Sequence, residues 1–102
     1  MIIVIARCEV EPSALDALRP VLDRMMRLTW EESGCLSYSM AIESESSGVV
    51  SIVERWSDEA ALRAHFTTAH MAAFKAATDG VMRSLDARIY DVTGERPLKI
   101  EG

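Results

Sequence analysis

The 102-residue chain is short of several things that would narrow its role at once. It has two cysteines, Cys8 and Cys35, too few for a disulfide framework, and two histidines with no His or Cys pair at structural-zinc spacing. It has no basic run or stripe. Eleven Lys and Arg are scattered among 16 Asp and Glu, giving a net charge of −5, which works against a phosphate backbone. Nucleic acid is therefore not an expected partner. No apolar stretch approaches the ~18 residues a spanning helix needs, so no membrane association is expected. The apolar start Met1–Ala6 has no basic lead and runs into Arg7 and Glu9, so it does not read as a secretory signal. Two thiols expected to stay reduced then point to the cytoplasm. Repeats, low-complexity tracts and linkers are also missing, and the length suits a single domain over 1–102.

What is present is a run of alternating and helical patterns. Ile2–Val10 is rich in β-branched residues and reads as a strand, with Ile2, Val4, Ala6, Cys8 and Val10 on one face. The other face, Ile3, Ile5, Arg7 and Glu9, is apolar in its first half, so both sides are expected to be covered. Pro12 and Ser13 open a helix in which Ser13 is the expected cap, with Asp16 at the reciprocal position. Its core stripe is Leu15, Leu18, Leu22, Met25 and Thr29. Pro20 predicts a kink or two abutting segments, and the helix should stop before Gly34.

Cys35–Ile42 reads as a second strand, with Leu36, Tyr38, Met40 and Ile42 together, and Val49–Trp56 as a third. The polar Glu43–Gly48 turn joins them as a hairpin. Ser57 is the expected cap of the next helix, whose face carries Leu62, His65 and Phe66. A further helix starts near Ala69 and carries Met71, Phe74, Thr78, Val81 and Met82, with Gly80 weakening its last turn. Leu85–Val92 is the fourth strand, and 93–102 is a tail.

This βαββαβ order predicts an α+β, ferredoxin-like fold with a four-stranded antiparallel sheet in the order 4-1-3-2. Cys8 and Cys35 then lie two strands apart, roughly 9–10 Å, too far for a disulfide. With helices on one face only, Ile3, Ile5 and either Leu36 or Val53 would remain as a bare apolar patch. A second copy is the simplest cover, so a homodimer is expected, with the tail reaching onto the partner.

Chemistry-bearing residues concentrate in Glu54–Phe74, which holds both histidines and Trp56. His65 is the first candidate for a general base or a donor to a substrate oxygen, and a satisfied core histidine is the plain alternative. His70 is the second candidate, or it closes the turn between the two helices. Glu54 is a lone carboxylate on an apolar stripe and needs a partner, either His65 as the group it orients or Arg7 on a neighbouring strand. Trp56, Tyr38, Phe66 and Phe74 are candidate walls for a substrate, as are Arg7 and Trp30 near its mouth. The two histidines lack a third ligand at fixed spacing, so no metal is expected.

The pattern W-S-D-E-A-A-L-x-A-H-x-x-x-x-H-M-x-A-F, preceded by S-G-C-L-S-Y-S-M and an apolar-V-E-R strand, resembles the antibiotic biosynthesis monooxygenase domain over Ile2 to about Gly94. Trp56–Phe74 is most similar to the family's cofactor-independent quinol monooxygenases. The resemblance implies a dimeric α/β barrel with a pocket in each subunit between sheet and helices. It also implies oxidation of a small quinol, phenol or anthrone-like aromatic by dioxygen, with no cofactor. In the haem-degrading branch, the positions of a characteristic asparagine, a second tryptophan and the haem-ligating histidine correspond to Arg7, His65 and about Lys75 here, so haem is not implied. A non-catalytic dimeric ligand-binding or stress domain, or an isomerase using His65 and His70, are the alternatives.

Overall fold

The computed structural model describes residues 1–101. Strand β1 (Ile2–Val10) leads through a three-ten turn at Pro12–Ala14 into helix α1 (Leu15–Trp30). Strands β2 (Cys35–Ser44) and β3 (Val49–Trp56) form a hairpin, helices α2 (Glu59–His65) and α3 (Ala69–Thr78) follow, and β4 (Met82–Asp91) closes the sheet. All neighbouring strands pair antiparallel in the order β2-β3-β1-β4. This is the expected ferredoxin-like α+β fold. Cys8 of β1 and Cys35 of β2 are both free, with β3 between their strands, as anticipated.

Alternation decides the core. Ile2, Val4, Ala6, Cys8 and Val10 are all buried, and Val50, Ile52, Glu54 and Trp56 of β3 lie beside them on the same face. The stripe Leu15, Leu18, Leu22, Met25 and Thr29 of α1 is buried as its period predicts. Pro20 does not divide α1, which runs unbroken past it. Its missing N–H removes one bond in the second helical turn, and burial of the flanking stripe holds the helix together across the gap.

Several expected boundaries are corrected. Ser13 caps nothing, because the chain enters α1 through the three-ten turn with no side-chain cap. Asp58, not Ser57, caps α2, accepting from the Ala61 N–H at 2.9 Å. Thr68 caps α3, accepting from Met71 N–H. That helix ends at Thr78, so Val81 and Met82 lie outside it, and β4 begins at Met82 rather than Leu85. Leu36 leaves the Tyr38 face: the β2–β3 register slips between Cys35 and Ser37, so a bulge turns Leu36 outward, 48% exposed.

The outer sheet face carries half-exposed Ile5, Leu36, Val53 and Tyr90. On the inner face, α1 packs on β2 and α3, and α2 on β3. The inward residues of β4, Leu85, Ala87 and Ile89, stay exposed. That uncovered flank is where the site opens.

Candidate active site

A cavity of about 370 Å³ lies between the sheet and helices α2 and α3. Val4 and Ala6 of β1 and Ile52 of β3 form part of its floor, Leu62 and Phe74 lie on the helix side, and exposed Leu85 and Ile89 stand at its rim. Its size and apolar lining fit a small ligand with few polar handles. The polar groups reaching it from its deep side are His65, Glu54 and Tyr38, while Glu59, Arg63 and Arg88 belong to exposed segments at the edge.

His65 ends α2 and is 1% exposed. Its ring packs against Trp56 at 5.0 Å and Tyr38 at 5.3 Å between centroids, so its position is fixed on two sides. Its Nδ1 lies 2.6 Å from Oε2 of Glu32, in the turn after α1. The same Oε2 lies 2.7 Å from His70 Nε2, at the start of α3. One carboxylate oxygen thus joins two imidazoles. Among the described residues, His65 Nε2 has no hydrogen-bond partner, and the ring borders the cavity. His70 does not line this cavity. It borders a separate groove between α1 and α3, beside Arg24 and Phe74.

Glu54 also reaches the cavity, but it does not hold His65. Its Oε1 accepts from Trp56 Nε1 at 2.9 Å. Burial raises the carboxyl above its ordinary range, the Trp56 bond and His65 oppose this, and the Glu32 charge adds to it. Tyr38 is pushed strongly upward by burial and then by the charges of Glu54, Glu32 and Cys35, so it stays a neutral phenol able to donate. Burial likewise raises the Cys35 thiol, with Glu32 and Glu54 adding, which keeps it unreactive.

The remaining sequence candidates divide. Phe66 and Phe74 line the cavity, Phe74 buried and Phe66 48% exposed, so Phe66 does not share the buried face of Leu62 and His65. Trp56 is fully buried and backs His65 rather than touching the cavity. Arg7 is corrected: as an odd-numbered residue of β1 it points to the outer face, where it pairs with Glu43, away from Glu54 and the cavity. Trp30 is corrected too. Its exposed indole donates to the Tyr38 carbonyl at 2.7 Å on edge strand β2 and lines no part of the cavity.

Glu32 was missed. It is one of two adjacent acids in a polar turn, and nothing in the local pattern separates it from the exposed Glu31. It supplies the third group that the two histidines lacked, and the three ligand atoms lie within 4.8 Å of one another. Ligands at ~2.0–2.1 Å from a tetrahedral zinc stand roughly 3.3 Å apart. The 2.6 and 2.7 Å separations are instead those of charge-assisted hydrogen bonds.

The comparisons with known proteins agree with this fold. The family profile "Antibiotic biosynthesis monooxygenase" matches residues 1–77. A Mycobacterium tuberculosis protein named "Putative monooxygenase Rv0793" is 38% identical over 73 residues, covering 72% of this chain and 71% of that protein. The solved structure of Rv0793 superposes with a TM-score of 0.81 at 31% identity, covering 94% of this chain and 98% of that one. PA3566 from Pseudomonas aeruginosa shares the fold at a TM-score of 0.81 and 24% identity, over 91% and 94% of the two chains.

Proposed function

The chain belongs to the antibiotic biosynthesis monooxygenase family, and from that premise we propose that it is a cofactor-independent monooxygenase oxidising a small quinol, phenol or anthrone-like aromatic with dioxygen. The observation that carries this reading is His65, whose ring borders an apolar cavity of about 370 Å³ and whose Nε2 has no hydrogen-bond partner among the described residues. His65 Nε2 accepts the substrate proton, leaving a phenolate or carbanion. That anion reduces dioxygen, and the two fragments recombine as a peroxide. For an anthrone-like methylene, the carbon loses two hydrogens and gains one oxygen, and the second oxygen leaves with those hydrogens as water. The neutral Tyr38 phenol is suited to donate to the developing oxyanion. Phe66 and Phe74 hold the ring system, and Glu54 sits beside it as a polar wall.

The working unit in this reading is a homodimer of one-domain chains in the cytoplasm. The half-exposed outer-face residues Ile5, Leu36, Val53 and Tyr90 support the pairing, and exposed Leu98 and Ile100 support a tail that reaches the partner. Two free cysteines support the reducing compartment.

The test is oxygen uptake with a panel of quinols and anthrones. Uptake well above autoxidation, abolished in His65→Ala, is expected. Uptake equal to autoxidation and unchanged in that variant defeats the reading. An isomerase is the second reading, favoured by two imidazoles on one carboxylate. It would exchange a substrate C–H with deuterated water without consuming oxygen.

A further inference from the structure

Resting on His65 as the base, we propose that Glu32, itself held by His70, is the positioning residue that locks His65 in one tautomer. An ionised carboxylate only accepts hydrogen bonds. With Oε2 of Glu32 at 2.6 Å from His65 Nδ1 and 2.7 Å from His70 Nε2, both of those nitrogens carry hydrogens. The proton on Nδ1 leaves Nε2 of a neutral His65 with a bare lone pair, on a ring that borders the cavity. Without the carboxylate, the two tautomers of imidazole compete, and the one with Nε2–H cannot take a substrate proton. Once Nε2 has taken that proton, the ring is a cation with its Nδ1–H still on Glu32, which stabilises it. The proton stays on the imidazolium until the peroxide oxygen takes it.

The remaining neighbours do not supply this function. Glu54 has no hydrogen bond to His65, and its Oε1 is engaged by Trp56. Tyr38 and Trp56 meet the ring through their faces and edges. Glu32 is set by two partners, one at the end of α2 and one at the start of α3, and both hold the same Oε2, so a swing of that oxygen breaks both bonds. His70 therefore acts through Glu32, without touching the cavity.

The experiment combines ¹⁵N NMR of the histidine rings with oxygen uptake on anthrone and 1,4-naphthoquinol. At a pH where the ring is neutral, wild-type His65 is expected to show a protonated Nδ1 and a bare Nε2, and Glu32→Gln to lose that preference. On either probe, Glu32→Gln should lower kcat by ~100-fold with KM within about twofold, the pattern of a base in the wrong tautomer. His70→Ala should lower kcat by ~10-fold, and His70→Gln should restore most of it, since a Gln amide still donates to Glu32. Circular dichroism on each variant separates this from unfolding, and Glu32→Asp serves as a second variant if Glu32→Gln does not fold. A protonated Nε2 in wild-type His65 overturns the proposal, as does an unchanged tautomer in Glu32→Gln. So does sub-micromolar Zn²⁺ binding that needs all three side chains, because the cluster would then be a metal centre. If the tautomer behaves as expected while neither probe consumes oxygen, the lock stands and the monooxygenase reading falls.

Discussion

The indole N–H of Trp56 donates at 2.9 Å to the carboxyl of Glu54, two residues back on the same face of β3. The pair closes a buried polar gap in an otherwise apolar stripe, yet it does not fully compensate the carboxylate. Burial still holds the Glu54 carboxyl above its ordinary range. A raised carboxyl binds its proton more tightly folded than unfolded, so this contribution to stability is full below the unfolded value near 4.5 and is lost as pH rises through the folded value. Glu54→Gln keeps an acceptor for Trp56 and does not titrate. Its melting temperature relative to wild type should therefore climb between pH 4 and pH 8. Thermal melts across that range check it, and a gap that shrinks with rising pH would refute the assignment.

Thr29 presents the opposite problem. It is fully buried on the core stripe of α1, and among the described residues its hydroxyl has no hydrogen-bond partner. A buried hydroxyl without a partner loses its water and gains nothing in return. Thr29→Val has nearly the same shape and removes that cost. It should stabilise the chain by about 1 kcal/mol, a rise of roughly 4–8 °C for a domain of this size. A melting temperature equal to or below wild type would show that the hydroxyl is satisfied in solution.

These two positions also mark what the sequence makes legible. Period-two alternation in β1 and β3 and the 3.6-residue stripe of α1 placed nearly every core residue, because each pattern has a single way to face one core. Ser13 and Ser57 were misread because a cap depends on backbone angles at the entry, and neighbouring polar residues compete for the role. Leu36 was misplaced because a bulge breaks alternation without changing composition. Glu32 escaped notice because its partners lie 33 and 38 residues downstream. No local period encodes a contact that exists only once the turn after α1 meets the turn between α2 and α3.

Gly34 sets that convergence. Its φ is +82°, and a Cβ there would lie 2.6 Å from the Ala61 Cβ and 2.7 Å from the Ser57 Oγ. Its carbonyl also accepts from the Ser57 N–H at 2.8 Å, tying the Glu32 turn to the start of α2. Gly34→Ala should cost about 2 kcal/mol or more, since the left-handed backbone is strained for alanine and the side chain must displace α2. Moving α2 moves His65 away from Glu32, so the ring ¹⁵N signals of His65 should shift as well. Denaturant melts and the same NMR spectra check both halves. A stable variant with unchanged histidine signals would mean the turn and the helix are not coupled.

The outer sheet face offers the last test. Ile5 faces Val53 across the β1–β3 ladder, and Ile3, next along the same face, faces Tyr90 across β1–β4. Ile5, Val53 and Tyr90 are half-exposed, so the apolar surface runs across β3, β1 and β4, with exposed Leu36 of β2 on the far side of Arg55. Monomers rarely expose an apolar patch of this kind, and a second copy packed sheet to sheet is its proposed cover. Arg7, Arg55 and Arg88 occupy neighbouring positions on this face and carry acidic partners of their own chain, so they do not need a partner chain to be paired. Val53→Glu puts a charge in the apolar patch without touching the inner core. Sedimentation at micromolar concentration should show two-chain particles for the wild type and single chains for Val53→Glu, with circular dichroism unchanged. Removing 93–102 should weaken the pairing by a smaller amount, because the tail brings only exposed Leu98 and Ile100 as apolar contacts. Single chains for the wild type under the same conditions would leave the patch without its proposed cover.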